Sequence, residues 1–119
     1  MNWTPGRKKG YITSVLRKGF TRYPAKYGAL KNAQVGKKLN QKTGRMAYHY
    51  KCAKCKKEFP NVEVQVDHIL PVVDTEEGFL GWDTYIDRLF CEEDSLQVLC
   101  LTCHKKKTSV ENKERRKKK

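Results

Sequence analysis

The sequence predicts an α+β domain stapled by a four-cysteine structural zinc and preceded by basic helices. Two CxxC pairs, Cys52-Ala53-Lys54-Cys55 and Cys100-Leu101-Thr102-Cys103, bracket the central stretch. Each tight knuckle presents two sulfurs to one point, so the pairs together offer a tetrahedral Zn²⁺ its four thiolates. Between them, Val62, Val64 and Val66 alternate with polar residues at strand period, while helical periodicity governs residues 11–34 and 83–91. With 119 residues, 38% of them hydrophobic and 33% charged, the chain forms one small domain with a thin apolar core. A structural zinc supplies what such a core lacks.

Charge is divided along the chain. Residues 1–57 carry 16 Lys and Arg and no acid, residues 58–94 carry one Arg against 11 acids, and residues 95–119 carry nine Lys and Arg against two acids. Cationic ends around an acidic middle predict a grip on a polyanion, with nucleic acid the expected partner. The phosphate contacts expected from position are Arg7, Lys8, Lys9, Arg17, Lys18, Lys37, Lys38, Arg45, Lys105 and Lys107. No signal peptide, lipidation motif or membrane-length apolar run is visible. Four of five cysteines at knuckle spacing fit a reducing, intracellular setting and metal ligation better than disulfides.

In chain order, residues 1–10 read as irregular, because Pro5, Gly6 and Gly10 interrupt any period. Ile12, Val15, Leu16 and Phe20 mark a short amphipathic helix with a basic face. Beyond Pro24 a second helix runs from Ala25 to Gln34, with Gly36 as its stop. Residues 36–46 are polar and basic, either an arm that orders on DNA or a plain linker. Tyr48 and Tyr50 share one face of a strand and pack on the first knuckle. His49 is surplus to a complete thiolate tetrahedron and reads as an exposed side chain or a phosphate contact. Asp67-His68 ends the valine strand, and residues 71–81 form a loop. Asp83 caps a helix running to about Cys91, whose Tyr85, Ile86, Leu89 and Phe90 face the core. Cys91 reads as a small buried thiol. Leu96–Leu99 is a short strand, Cys103–Asn112 a final helix, and Arg115–Lys119 a disordered basic tail. This divides the chain into a helical amino-terminal extension and DNA-binding arm (1–46), a central domain (47–112) and a tail (113–119).

The run Cys52-x-x-Cys55, Val66-Asp67-His68-Ile69-Leu70-Pro71, Leu96-Gln97-Val98-Leu99-Cys100-x-x-Cys103-His104-Lys105-x-Lys107-Thr108 resembles the HNH endonucleases, in particular the small zinc-knuckled members from tailed bacteriophages. Gly81–Cys91 is similar to the same phage subgroup. The resemblance covers about half the chain by motif. It implies a ββα-metal (HNH) finger in which a hairpin carries Asp67-His68 and a helix starting near Cys103 returns His104 to the same cleft. It implies His68 as general base, Asp67 and His104 as ligands of a catalytic divalent ion (Mg²⁺, Mn²⁺ or another), and Cys52, Cys55, Cys100 and Cys103 as ligands of the structural zinc. DNA would be cut to 5′-phosphate and 3′-hydroxyl ends, in the host cytoplasm, by a phage-encoded homing-type or DNA-processing nuclease, alone or beside packaging or replication proteins. One position departs from the pattern: Ser95 stands where the family has the Asn that braces the loop bearing the catalytic His, and its hydroxyl has a shorter reach. Two other functional classes compete: a non-catalytic zinc module that binds nucleic acid, and an accessory protein acting through a protein partner by its acidic segment.

Overall fold

The structure is a computed structural model that describes residues 3–117. Helix α1 spans Pro5–Phe20 and α2 spans Pro24–Ala33. They are followed by strands β1 (Gln34–Asn40), β2 (Arg45–Lys51), β3 (Glu58–Pro60) and β4 (Val64–His68), helix α3 (Trp82–Leu89), strand β5 (Leu96–Cys100) and helix α4 (Leu101–Lys117). The strands form two antiparallel sheets, one three-stranded in the order β1-β2-β3 and the other a β4-β5 ribbon. The mixed α+β class is as expected.

Helix α1 starts earlier than the sequence reading placed it. Thr4 is the N-cap, its hydroxyl accepting from the Arg7 N–H at 3.1 Å, and Pro5 enters at a first-turn position where its missing N–H costs nothing. Pro5, taken as a breaker, is a start signal. Gly6 and Gly10 are carried within the helix. The supposed arm of residues 36–46 belongs to the β1-β2 hairpin, in which Lys37 pairs with Tyr48 and Leu39 with Met46. Gly36 does not stop a helix; with φ of +112° it lies at the irregularity in the β1-β2 register. Val62 lies in a 3₁₀ turn at Asn61–Glu63 and is 75% exposed, so the alternating strand begins only at Val64. Gly81, at φ +113°, is the N-cap of α3, and Asp83 falls inside the first turn. The final helix runs past Asn112 to Lys117 and takes in most of the tail; residues 118–119 lie outside the described residues.

Helices α1 and α2 are integral to the core. Phe20 and Ala29 are buried with Val72, Tyr85, Leu89 and Leu96, so the amino-terminal segment packs on the central one. The division at residue 46 falls within strand β2. A second, smaller cluster of Cys52, Leu99 and Cys100 surrounds the knuckles. His49 is only 7% exposed, and its Nδ1 lies 2.9 Å from the Ala47 carbonyl, which answers the expectation of an exposed or phosphate-binding side chain with a tucked-in one. Tyr48 is partly exposed, with the Lys37 ammonium 5.1 Å from its ring centroid. Among the described residues no helix is long and apolar enough to cross a membrane.

Candidate metal centre and active-site cleft

The two knuckles come together from opposite ends of the central stretch. Cys52 follows β2, Cys100 ends β5, and Cys103 lies in the first turn of α4. The Ala53 N–H donates to the Val98 carbonyl at 2.8 Å, pinning the first knuckle to β5, and the Cys52 N–H donates to the Lys57 carbonyl at 2.9 Å, closing the knuckle's own turn. The Cys103 N–H donates to the Cys100 Sγ at 3.4 Å. All four sulfurs lie within 4.8 Å of one another. A tetrahedron with Zn–S bonds of about 2.3 Å has edges of about 3.8 Å, so the four cysteines are positioned to hold one metal ion and their spacing is consistent with a structural zinc.

The thiol chemistry agrees with a cation-binding site. Burial pushes the Cys52 thiol up, but hydrogen bonds from the main chain of Cys100, Cys55 and Lys54 and from the Cys55 side chain draw it down to about 6. Cys103 is pushed up to about 12, first by its hydrogen bond to the Cys100 side chain and then by burial and the neighbouring sulfurs. Metal binding therefore has to release protons from this cluster, and its affinity falls on acidification. Lys56, immediately after the first knuckle, adopts φ of +64°. A side chain there costs about 1–2 kcal/mol, partly offset by the extra freedom glycine brings to the unfolded chain. Lys56→Gly is expected to raise the melting temperature of the metal-loaded protein by about 2 °C, read by differential scanning calorimetry.

A second group of polar side chains gathers where the β4-β5 ribbon meets α4. Asp67, His68 and His104 line one open cleft of about 330 Å³, with Arg17, Phe20, Lys107, Glu111 and Arg115. Asp67 and His68 occupy adjacent positions at the end of β4, so the pleat turns their side chains to opposite faces. Asp67 is 8% exposed; its Oδ2 accepts from Gln97 Nε2 at 2.9 Å across the ribbon, where the two residues are register partners. Its Oδ1 lies 3.7 Å from His104 Nε2. Two donor atoms that close fit a single shared divalent ion, and the cleft leaves space beside them.

His68 is fixed on the opposite side. Its ring packs on Phe20 at a centroid distance of 4.7 Å, and its Nε2 lies 2.9 Å from the Leu89 carbonyl. A carbonyl only accepts, so Nε2 carries the hydrogen and the neutral ring leaves Nδ1 as a free base. Burial holds the pKa of His68 below the ordinary imidazole range; the Leu89 contact and the Asp67 charge act against this, and Arg17 and Lys107 reinforce it. Ser95 contributes through its main chain: its carbonyl accepts from the Ile69 N–H at 3.0 Å, tying the segment just after His68 to the start of β5.

The expected phosphate contacts divide into different environments. Arg17 lines the cleft, and its guanidinium stands 6.0 Å from the Tyr85 ring centroid. Lys9 covers the face of Phe79 at 3.7 Å, and Lys38 is engaged by Glu58. Lys8, Lys18, Arg45 and Lys105 are exposed. Lys107 points into the cleft rather than outward, and its ammonium lies 3.2 Å from Asp67 Oδ2. Four partners in this centre escaped sequence reading: the Leu89 carbonyl, Gln97, Glu111 and Arg115, which donates to the Val73 carbonyl at 3.1 Å. His104, Lys107, Glu111 and Arg115 recur at steps of three and four, so one stripe of α4 was visible in principle. No protein-family model, curated protein or solved structure matches the chain.

Proposed function

We propose that the protein is a metal-dependent endonuclease of the HNH type, with a ββα-metal finger built from β4, β5 and α4, that hydrolyses DNA phosphodiester bonds. The observation that carries this reading is the convergence of Asp67, His68 and His104 on one cleft, with His68 held so that Nδ1 is its free nitrogen. Asp67 and His104 would hold the divalent ion, which would supply charge neutralisation at the attacked phosphate and the departing 3′ oxygen. His68 takes the proton from the attacking water at Nδ1, and the Leu89 carbonyl stabilises the imidazolium that results. Arg17 and Arg115, at the cleft, pair with the substrate's phosphates. Cys52, Cys55, Cys100 and Cys103 would hold a structural zinc, whose closed thiolate shell would leave no position for substrate. The exposed cations of α1, the β1-β2 hairpin and α4 add sequence-independent, salt-sensitive affinity for the duplex. Phage origin, host-cytoplasmic action and a role beside packaging or replication proteins belong to the same reading.

The two test measurements are product ends and pH dependence. An end-labelled duplex should yield 5′-phosphate and 3′-hydroxyl termini; 3′-phosphate ends would sink the mechanism. The rate follows the neutral fraction of His68, so a lowered pKa keeps the base competent to lower pH. The acid limb of the single-turnover rate is expected to have its midpoint below about 6.5, the ordinary histidine value. A midpoint above 7 would remove His68 from this role.

A further inference from the structure

Lys107 is the most heavily engaged cation in the cleft. Its side chain is 17% exposed, and its Nζ lies 3.2 Å from Asp67 Oδ2, 3.0 Å from the His68 carbonyl and 3.0 Å from Glu111 Oε2. An ammonium has three hydrogens, and three acceptor groups surround this one. The carboxylate it serves is the buried Asp67, and the ammonium also lies 3.5 Å from the Oδ1 that faces His104. A carboxylate so far removed from water needs a neutralising partner at close range.

We propose that Lys107 is the resident counter-cation of Asp67, a positioning residue that a divalent ion must displace, and that Glu111 is the berth it keeps when it lets go. This rests on the reading of Asp67 and His104 as ion ligands and deepens it. Glu111 lies one turn along α4 from Lys107, so the ammonium retains an anionic partner and the His68 carbonyl without any movement of the helix. The lysine stem is flexible, and its charge is a compact point that can shift while its backbone stays in place. In this arrangement Asp67 is held in one orientation before the ion arrives, at a cost in ion affinity, because a second positive charge stays close by. A lysine serving only as a structural prop has the opposite signature: its removal would loosen Asp67 and weaken ion binding.

Mn²⁺ binding to the zinc-loaded full chain, followed by the electron paramagnetic resonance signal of free Mn²⁺, separates the two. Lys107→Met is expected to bind Mn²⁺ about tenfold more tightly than the parent, and Glu111→Gln several-fold more weakly, with zinc content and circular dichroism unchanged. Unchanged or weaker binding by folded Lys107→Met overturns the proposal. If that variant does not fold, Glu111→Gln decides: weaker binding supports it, unchanged or tighter binding overturns it. His104→Ala is the control for the underlying reading. If it binds Mn²⁺ like the parent, the ion site itself is misassigned and both readings fall; if it loses binding while Lys107→Met is unaltered, only the role of Lys107 falls.

Discussion

Removing the metal from the four-cysteine cluster is expected to unfold the central domain. Cys52 and Cys100 are buried in a small cluster whose third buried member is Leu99, and the Ala53 N–H bond to the Val98 carbonyl adds one main-chain tie between the first knuckle and β5. Structural zinc contributes about 10–16 kcal/mol of apparent binding free energy at neutral pH in small zinc modules, on the order of the whole stability of a domain this size. A chelator strong enough to strip zinc should abolish the cooperative thermal transition, and Cys100→Ser should do the same at the level of the purified protein. Circular dichroism during titration with chelator, followed by zinc restoration, is the check. A melting curve unchanged after complete zinc removal would show that the cysteines are not the staple. Acidification should have the same sense, since the thiols must lose protons to bind and Cys103 holds its proton strongly.

The second large effect is expected from His104→Ala. On the proposed reading His104 supplies a ring nitrogen 3.7 Å from Asp67 Oδ1, and its removal would leave the carboxylate to hold a hydrated ion alone. The catalytic contribution of a bound divalent ion at a phosphodiester is several kcal/mol, so cleavage under single turnover should fall by about a thousandfold or more. His104 is partly exposed and outside both buried clusters, so folding and zinc content should be preserved. Measuring cleavage against Mn²⁺ concentration gives the discriminating detail. Loss that high Mn²⁺ partly restores is the signature of a weakened ion site, whereas full activity in His104→Ala contradicts the assignment.

The parts of the fold that were legible beforehand are those with local spacing rules. Each CxxC pair declares its knuckle because both ligands lie within a single turn, and the meeting of the two pairs follows from tetrahedral demand. Phe20, Leu89 and Leu96 were placed in apolar stripes and are buried together. What escaped depends on tertiary pairing. Residues 34–51 carry four Lys, two Gly and an Asn, which favour strands poorly, and their strand character comes from the cross-strand partners that sequence does not announce. His49 is buried by the sheet that this pairing creates. Pro5 reads as a breaker in the sequence, yet the same proline that breaks a helix interior begins a helix well. Within the cleft, Asp67, His68 and His104 are singled out by the resemblance to the HNH motif, and only His104 stands next to a knuckle cysteine. The Leu89 carbonyl that orients His68 could not be named, since main-chain acceptors have no residue signature.

The most direct test of the central claim is nicking of supercoiled plasmid at low salt, with Mg²⁺ and separately with Mn²⁺, by zinc-loaded parent and by His68→Ala. The ring of His68 is the proposed base, and its loss should lower the rate by about a hundredfold to ten-thousandfold. DNA binding and zinc content of the variant should stay close to the parent's, while its melting temperature should fall by several degrees because the ring's packing on Phe20 and its bond to the Leu89 carbonyl are lost. The account predicts ion-dependent nicking by the parent that all but vanishes in folded His68→Ala. Equal nicking by the two proteins, or none by the zinc-loaded parent with either ion despite salt-sensitive DNA binding, would contradict it.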